Sequence, residues 1–396
     1  MGQRRKKKPE SFLEKKMTRR EFVKLAGLGV AGLGVSGYVL AKLLRTPVSS
    51  DSSATVANMG KFSREASNYL KLGNNVHCQL CPHKCLLEDG ERGNCRTREN
   101  WGGTLYTLAY GNPCAVHVDP IEKKPLFHVL PATGVFSIAT AGCNLRCKNC
   151  QNWQISQVRP EDVQSSELFP KQVVREALAK NCRSIAYTYS EPIAFFEYMY
   201  DTAKLARENN ILNLWITAGY INSEPLSQLC KYIDAANVDL KGFDDRFYAE
   251  NCAGSLDPVL KALKVLKREK VWFEITNLVI PTVSDDMGMI RRMCEWIYDN
   301  LGGDYPLHFS RFTPMYQLAN LSPTPKEALE KARKIALDCG LNYVYIGNVR
   351  TDEGGNTYCP KCGKMVIERK GFFVAENNLQ KDSCKFCGER IAGVWG

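Results

Sequence analysis

The sequence predicts an α/β fold whose main body is a partial (β/α) barrel. From Gly134 onward, short apolar strand patterns alternate with amphipathic helical patterns. Such alternation gives a parallel sheet with crossover helices. Six or seven units over about 215 residues fit an open barrel better than a complete eight-fold one. Cysteine pairs at C-x2-C spacing also occur on either side of this body, and they predict two small metal-binding modules.

These patterns place the elements and the domain boundaries. The predicted strands are 135–139, 184–189, 212–217, 236–240, 271–280, 307–312 and 343–346. The predicted helices are 171–180, 193–208, 225–232, 258–267, 287–298 and 325–338. We divide the chain into a signal or membrane-anchor segment (1–45), a linker (46–61), an N-terminal cysteine-rich module (62–133), the partial barrel (134–350) and a zinc-ribbon-like module (351–396).

The first 45 residues account for most of the net charge of +11, since they hold twelve Lys or Arg and three Glu. A nearly neutral body lacks the basic surface that nucleic-acid binding requires, so no nucleic-acid partner is expected. Residues 18–24 read TRREFVK and precede seventeen uncharged residues, which is typical of a twin-arginine export signal. The same run would allow membrane contact through residues 22–44. The alternative is a basic tail before a buried helix.

The N-terminal module contains four closely spaced cysteines, Cys78, Cys81, Cys85 and Cys95. Four thiolates at such spacing can close a tetrahedral zinc site or hold an iron–sulfur cluster. The sequence therefore predicts a metal site here and leaves both metals open.

The central motif, AGCNLRCKNCQ, directly follows the first barrel strand. It places Cys143, Cys147 and Cys150 at C-x3-C-x2-C spacing. Iron–sulfur clusters usually take four cysteines, so three thiolates would leave one iron open to a reacting molecule, as in catalytic metal sites. In barrels of this kind the chemistry lies at the carboxyl ends of the strands, which is where this loop falls. The alternative is a structural metal knot.

Polar residues recur at the ends of the other predicted strands. Glu191 follows the second strand, and Asp239 and Lys241 end the fourth on one side of it, because side chains alternate along a strand. Asn277 and Arg311 lie on the fifth and sixth strands. An acidic and a basic side chain on one side of a strand can bind a ligand that carries both a positive and a negative charge. A ligand cavity would also explain why polar residues recur at several strand ends.

The chain ends with two C-x2-C knuckles, which predict a zinc ribbon. Its ligands would be Cys359, Cys362, Cys384 and Cys387. A rubredoxin-like iron site uses similar knuckles and is the alternative.

With these motifs in view, residues 70 to 396 resemble the AmmeMemoRadiSam-type radical S-adenosylmethionine (SAM) proteins, relatives of the pyruvate formate-lyase activating enzyme. The resemblance rests on CQLCPHKC, GCNLRCKNCQNWQIS, YTYSEP, NVDLKG, LVIPTVSDD, PLHFSRFTPMY, CPKCG and CKFCGERIAGVWG. It implies a 4Fe-4S cluster on the three loop cysteines, with Glu191, Asp239 and Lys241 near SAM. Asn149 departs from the family, in which an aromatic residue commonly precedes the third cysteine.

The resemblance implies an enzyme that reductively cleaves SAM to a 5'-deoxyadenosyl radical, which abstracts hydrogen from an unidentified substrate. It also implies a low-potential electron donor, and it makes Amme-type and Memo-type proteins candidate partners. One alternative is a glycyl-radical-enzyme activating enzyme. Another, from a different class, is a membrane-tethered iron–sulfur electron carrier or metal-handling protein. The export signal fits poorly with cytosolic SAM chemistry, so the sequence leaves the localisation open.

Overall fold

The computed structural model describes residues 60–351 and 353–396. The predicted export signal lies outside them, and the predicted domain boundaries stay predictions. Within the described ranges, no helix is long and apolar enough to span a membrane.

An eight-stranded mixed sheet forms the body, in the order β14-β13-β12-β11-β10-β9-β8-β7. Strands β8 to β14 are parallel, and β7 pairs with β8 in the antiparallel sense. The strands are β7 (Ala115–Pro120), β8 (Gly134–Ala139), β9 (Ser184–Tyr187), β10 (Leu212–Thr217), β11 (Ala235–Asp239), β12 (Trp272–Val279), β13 (Leu307–Arg311) and β14 (Val344–Gly347). Because β14 and β7 do not pair, the barrel is open, as predicted.

Helices lie between the parallel strands and cover the outer face of the sheet. They are α1 (Trp153–Ser156), α2 (Pro170–Ala179), α3 (Phe196–Glu208), α4 (Ser223–Leu229), α5 (Asp245–Phe247), α6 (Asp257–Arg268), α7 (Met287–Leu301) and α8 (Lys326–Asp338). A π-helical turn (Tyr248–Cys252) follows α5. Residues from these helices and from the outward strand faces, such as Ile275 and Leu263, form one large buried cluster.

Small antiparallel sheets precede and follow the barrel. The N-terminal strands are β1 (Arg64–Glu65), β2 (Tyr69–Leu72), β3 (Asn75–Cys78), β4 (Leu86–Leu87), β5 (Arg98–Trp101) and β6 (Thr104–Thr107). The C-terminal strands are β15 (Thr357–Tyr358), β16 (Met365–Lys370), β17 (Phe373–Asn377), β18 (Leu379–Gln380) and β19 (Ser383–Cys384). Such short strands bury little apolar area, so small modules of this kind usually need disulfides or bound metal.

A buried polar network closes the amino-terminal end of the barrel. Glu274 on β12 accepts hydrogen bonds from the backbone amide of His128 (2.7 Å) and from Nε2 of His308 (2.6 Å). The His128 ring bonds to the Ala392 carbonyl and to the Tyr345 hydroxyl, both at 2.6 Å. These contacts attach the C-terminal residues to the barrel floor.

The network makes stability depend on pH. Burial lowers the pKa of His128 from its usual 6.5 to about 4, although the charge of Glu274 opposes this; Arg369 and His308 lower it further. The unfolded chain binds a proton near pH 6.5 and the folded chain does not. We therefore expect His128 to remove about 3 kcal/mol of stability as the pH falls from 6.5 to 4.

The measurement is urea unfolding at several pH values, with His128→Asn as the non-titrating comparison. An unfolding free-energy difference between the two proteins that is the same at pH 7 and pH 4.5 would contradict this expectation.

Candidate active site

The central cysteine loop leaves the carboxyl end of β8 and is held by backbone contacts. The amide of Gly142 donates to the Ile155 carbonyl (2.8 Å), and the side chain of Asn144 donates to the Tyr220 carbonyl (2.8 Å). The amide of Leu145 donates to the Cys143 sulfur (3.3 Å). The loop is therefore anchored on both sides, and one backbone N–H already points at a thiol.

The three loop thiols are close enough for their charges to interact. Burial raises the pKa of Cys143, with the nearby Glu191 carboxylate as a second cause, and burial also raises the pKa of Cys150. A hydrogen bond with the Cys252 thiol lowers the pKa of Cys147 to about 7. Thiols that burial keeps protonated become thiolates when a cation binds them. This donor set fits a metal cluster.

Glu191 is buried at the carboxyl ends of β9 and β10. Its Oε1 accepts from the Thr217 hydroxyl (2.7 Å), and its Oε2 accepts from the Ala218 amide (2.8 Å). Burial raises the pKa of Glu191 to about 7, although these hydrogen bonds lower it. The carboxylate is thus held rigidly beside the cysteine loop.

Asp239 and Lys241 form an ion pair at the end of β11, with Nζ 2.9 Å from Oδ2. Burial disfavours the charge of Lys241, but Asp239 and the Cys147 thiol outweigh burial and hold the pKa of Lys241 well above its usual value. Both side chains stay partly exposed, Asp239 by 40%. An acid and a base therefore face the site from one strand end, as the alternation predicted.

The two other predicted ligand residues donate hydrogen bonds to backbone carbonyls. Asn277 donates to the Leu240 carbonyl (2.8 Å), and Arg311 donates to the Thr324 carbonyl (2.9 Å). Asn277 shares the strand face of Ile275, which packs in the core against the helices. Direct ligand contact by these two side chains stays a prediction.

Sequence reasoning missed two residues near the loop. The Cys252 thiol lies close enough to Cys147 to perturb the pKa of that thiol; neither its spacing nor its context indicates this. The Thr217 hydroxyl donates a hydrogen bond to Glu191. Its position at the end of a strand is the only sequence signal for this role.

Asn149, which stands where the family commonly has an aromatic residue, keeps a buried Oδ1 without a hydrogen-bond partner. The nearby Trp153 ring stacks on Tyr316, with 5.2 Å between the ring centroids.

The two outer cysteine groups are also assembled. Cys359 and Cys387 have sulfurs 3.6 Å apart, and those of Cys362 and Cys384 are 3.8 Å apart. All four C-terminal sulfurs lie within 4.8 Å of one another. The N-terminal four gather beside the loop: the charges of Cys78 and Cys95 both act on Cys81 and on Cys85.

Gly142 is the point at which the loop meets the N-terminal module. Its φ is +98°, and a Cβ would lie 2.6 Å from the Cys95 carbonyl oxygen and 2.5 Å from Cγ2 of Thr97. We expect Gly142→Ala to destabilise the protein by about 1–3 kcal/mol from backbone strain alone, and to reduce iron bound by the loop. Thermal unfolding and iron content after anaerobic reconstitution measure both effects.

Gly90→Ala is the matched control, since Gly90 has φ +77° and no atom within 4 Å of its Cβ position. Equal iron loss in both variants would contradict a steric role for this contact.

An open barrel with a three-cysteine loop at the carboxyl end of its first parallel strand defines a radical SAM type of protein. Accordingly, the sequence profile of the radical SAM superfamily matches residues 137–294. The uncharacterized protein MJ0808 of Methanocaldococcus jannaschii is 48% identical over 83% of this chain and 98% of its own length. The chain belongs to the same family as that protein and is a radical SAM enzyme.

More distant similarity extends to the activating enzymes. The pyruvate formate-lyase-activating enzyme of Clostridium pasteurianum is 24% identical over 49% of this chain and 86% of its own length. A solved domain of the pyruvate-formate lyase-activating enzyme from Bacteroides vulgatus is 18% identical over 42% of this chain and 99% of that domain, with a TM-score of 0.37. The superfamily implies a 4Fe-4S cluster and SAM as cofactors.

Proposed function

We propose that this enzyme reductively cleaves SAM at a 4Fe-4S cluster on Cys143, Cys147 and Cys150 and removes a hydrogen atom from a substrate yet to be identified. One observation carries the proposal. The cysteine loop, Glu191 and the Asp239–Lys241 pair come from different strands and meet at one edge of the sheet.

When bound, the cluster and SAM supply one-electron cleavage of a carbon–sulfur bond and a group that abstracts hydrogen. The residues of the chain supply the rest. Lys241 and Asp239 offer opposite charges to the carboxylate and amino groups of SAM. Glu191, fixed by Thr217 and Ala218, places its carboxyl oxygens beside the loop and can accept from an ammonium group, whose positive charge would favour the ionised form of the carboxyl.

We assign the C-terminal cysteine group to zinc. A tetrahedral ion with Zn–S distances of about 2.3 Å places its sulfurs about 3.8 Å apart. The separations of 3.6 and 3.8 Å in two of the sulfur pairs match that value, as expected for a single tetrahedral ion with bonds of this length. The sequence motifs further support the AmmeMemoRadiSam type, with a low-potential electron donor and Amme-type and Memo-type proteins as partners.

The test is anaerobic reconstitution with iron and sulfide, reduction, and measurement of 5'-deoxyadenosine and methionine. Both products in equal amounts are expected. A protein whose cluster is confirmed by spectroscopy but which leaves SAM intact would overturn the proposal. Lys241→Met is the informative variant: it should weaken SAM binding more than tenfold while iron content is unchanged.

A second candidate is activation of a glycyl-radical enzyme, favoured by the similarity to two pyruvate formate-lyase-activating enzymes. Here the hydrogen atom would come from a backbone glycine of a partner protein. A glycyl-radical signal in electron paramagnetic resonance (EPR), after incubation with such a partner, would distinguish it from small-molecule chemistry.

A further inference from the structure

The N-terminal cysteines occupy a setting that differs from the C-terminal group in three ways. The first is spacing. Among residues 60–351 and 353–396, only the C-terminal four bring three or more ligand atoms within 4.8 Å of one another. Among the same described residues, no three of the Cys78, Cys81, Cys85 and Cys95 sulfurs lie that close together, so the set is wider than one tetrahedral ion requires. A four-iron cluster fits a wider set, because each thiolate binds a different iron atom.

The second difference is charge. The Arg98 guanidinium is 1% exposed, and its Nη1 donates to the Cys78 sulfur at 3.4 Å. The same side chain pairs with buried Glu197 and donates to the Ser67 carbonyl at 3.0 Å. A buried cation beside four thiolates stabilises any centre with net negative charge, and most of all a reduced cluster, which is more negative than a zinc ion with four thiolates. Hydrogen bonds to the sulfurs and net charge are what set the potential of iron–sulfur clusters.

The third difference is the segment that the N-terminal cysteines contact, which is the loop that carries Cys143. The Cys95 carbonyl packs on Gly142, which directly precedes Cys143. Arg96 donates to the Cys143 carbonyl at 3.3 Å, and the His83 ring donates to the Asn144 carbonyl at 2.6 Å. The module is therefore built against the catalytic loop.

The module also reaches the surface. Cys85 is partly exposed and stands between exposed Lys84 and Leu86, whose side chain is 60% exposed. Cys85 thus brings the cysteine group to the surface, and the backbone of Cys95 brings it against the loop.

We propose that Cys78, Cys81, Cys85 and Cys95 hold a second 4Fe-4S cluster, which relays single electrons from a ferredoxin- or flavodoxin-class donor to the loop cluster. One electron enters where Cys85 is partly exposed and takes this cluster from the 2+ to the 1+ state. The same electron then passes to the neighbouring loop cluster and reduces it from 2+ to 1+, while the second cluster returns to 2+ and no bond is made or broken. The relay rests on the proposed SAM chemistry, whereas the second cluster does not.

The first test counts metal in the full chain after anaerobic reconstitution. The loop variant Cys143→Ala/Cys147→Ala/Cys150→Ala should retain about four iron atoms and about four sulfides per chain, against about eight of each in the wild type. Adding the substitutions Cys81→Ala and Cys85→Ala to this loop variant should remove the remaining iron and sulfide. The matched control Cys182→Ala/Cys230→Ala changes two other buried cysteines and should keep about eight iron atoms. A loop variant with two zinc ions and no iron would overturn the proposal.

EPR of the reduced wild type tests the same point without any substitution. Two signals are expected, and added SAM should change only one of them. The second cluster would be contradicted if the wild type binds only about four iron atoms per chain and gives a single EPR signal that shifts entirely when SAM is added.

The relay predicts that reduced flavodoxin reduces the loop cluster at least tenfold more slowly in Cys81→Ala/Cys85→Ala than in the wild type. Equal rates would overturn the relay. The outcomes also separate the two proposals. A wild type that binds about eight iron atoms per chain but does not cleave SAM would contradict the proposed function and leave the second cluster standing. A wild type that cleaves SAM with only about four iron atoms per chain would contradict the second cluster and leave the proposed function standing.

Discussion

Replacing Cys147 with alanine is expected to reduce SAM cleavage to the uncatalysed background, a loss of roughly a million-fold or more. Cys147 is buried and is the middle member of the loop, with the Lys241 charge beside it. Two remaining thiolates cannot hold a four-iron cluster that already leaves one iron open. The measurements are 5'-deoxyadenosine formation and the visible absorption of the cluster.

Cys339→Ala is the matched control, since Cys339 is a partly buried cysteine at the end of α8. It should retain full cluster absorption and activity. The Cys252 thiol, whose interaction with Cys147 perturbs the pKa values of both thiols, provides a sharper comparison. A cluster that survives in Cys147→Ala but is lost in Cys147→Ala/Cys252→Ala would contradict the assigned ligands, because Cys252 would then be the third thiolate.

The strands of the barrel could be predicted because their signal is local. Each buried parallel strand is a short apolar run between helical patterns. All seven predicted strands are present, with ends that differ by no more than two residues. The antiparallel edge strand β7 was missed. Its sequence, AVHVDP, is short and partly exposed, and only its pairing with β8 reveals it.

The candidate site was predictable where strand ends converge, and less so where strand faces matter. Glu191, Asp239 and Lys241 follow strand ends, so parallel topology alone brings them together. Asn277 and Arg311 lie within strands that are buried on both faces. A sequence without polar alternation does not indicate which face points into the barrel.

Long-range polar contacts lay beyond sequence reasoning altogether. Arg98 closely follows Cys95 in the sequence, but its ion-pair partner is Glu197 from α3. Nothing in the sequence around His128 indicates that it joins Glu274 to the C-terminal residues. Such partners are far apart in the chain, and no local spacing encodes them.

Replacing Cys384 with serine is expected to remove one zinc ion per chain and to lower stability by more than about 5 kcal/mol. Structural zinc contributes about 10–16 kcal/mol in small metal-dependent modules, and the short strands here bury too little apolar area to replace it. The loss should reach the barrel floor, because Arg369 of β16 donates to the Phe127 carbonyl at 2.6 Å. Metal analysis and thermal unfolding measure the two effects.

Cys114→Ser is the control, since Cys114 is partly buried and lies just before β7. It should keep its zinc and unfold close to the wild-type temperature. A Cys384→Ser protein with wild-type zinc content would contradict the ligand set. A wild type that carries iron at this site would make the ion rubredoxin-like. The four-sulfur geometry would stand in that case, but the assignment to zinc would not.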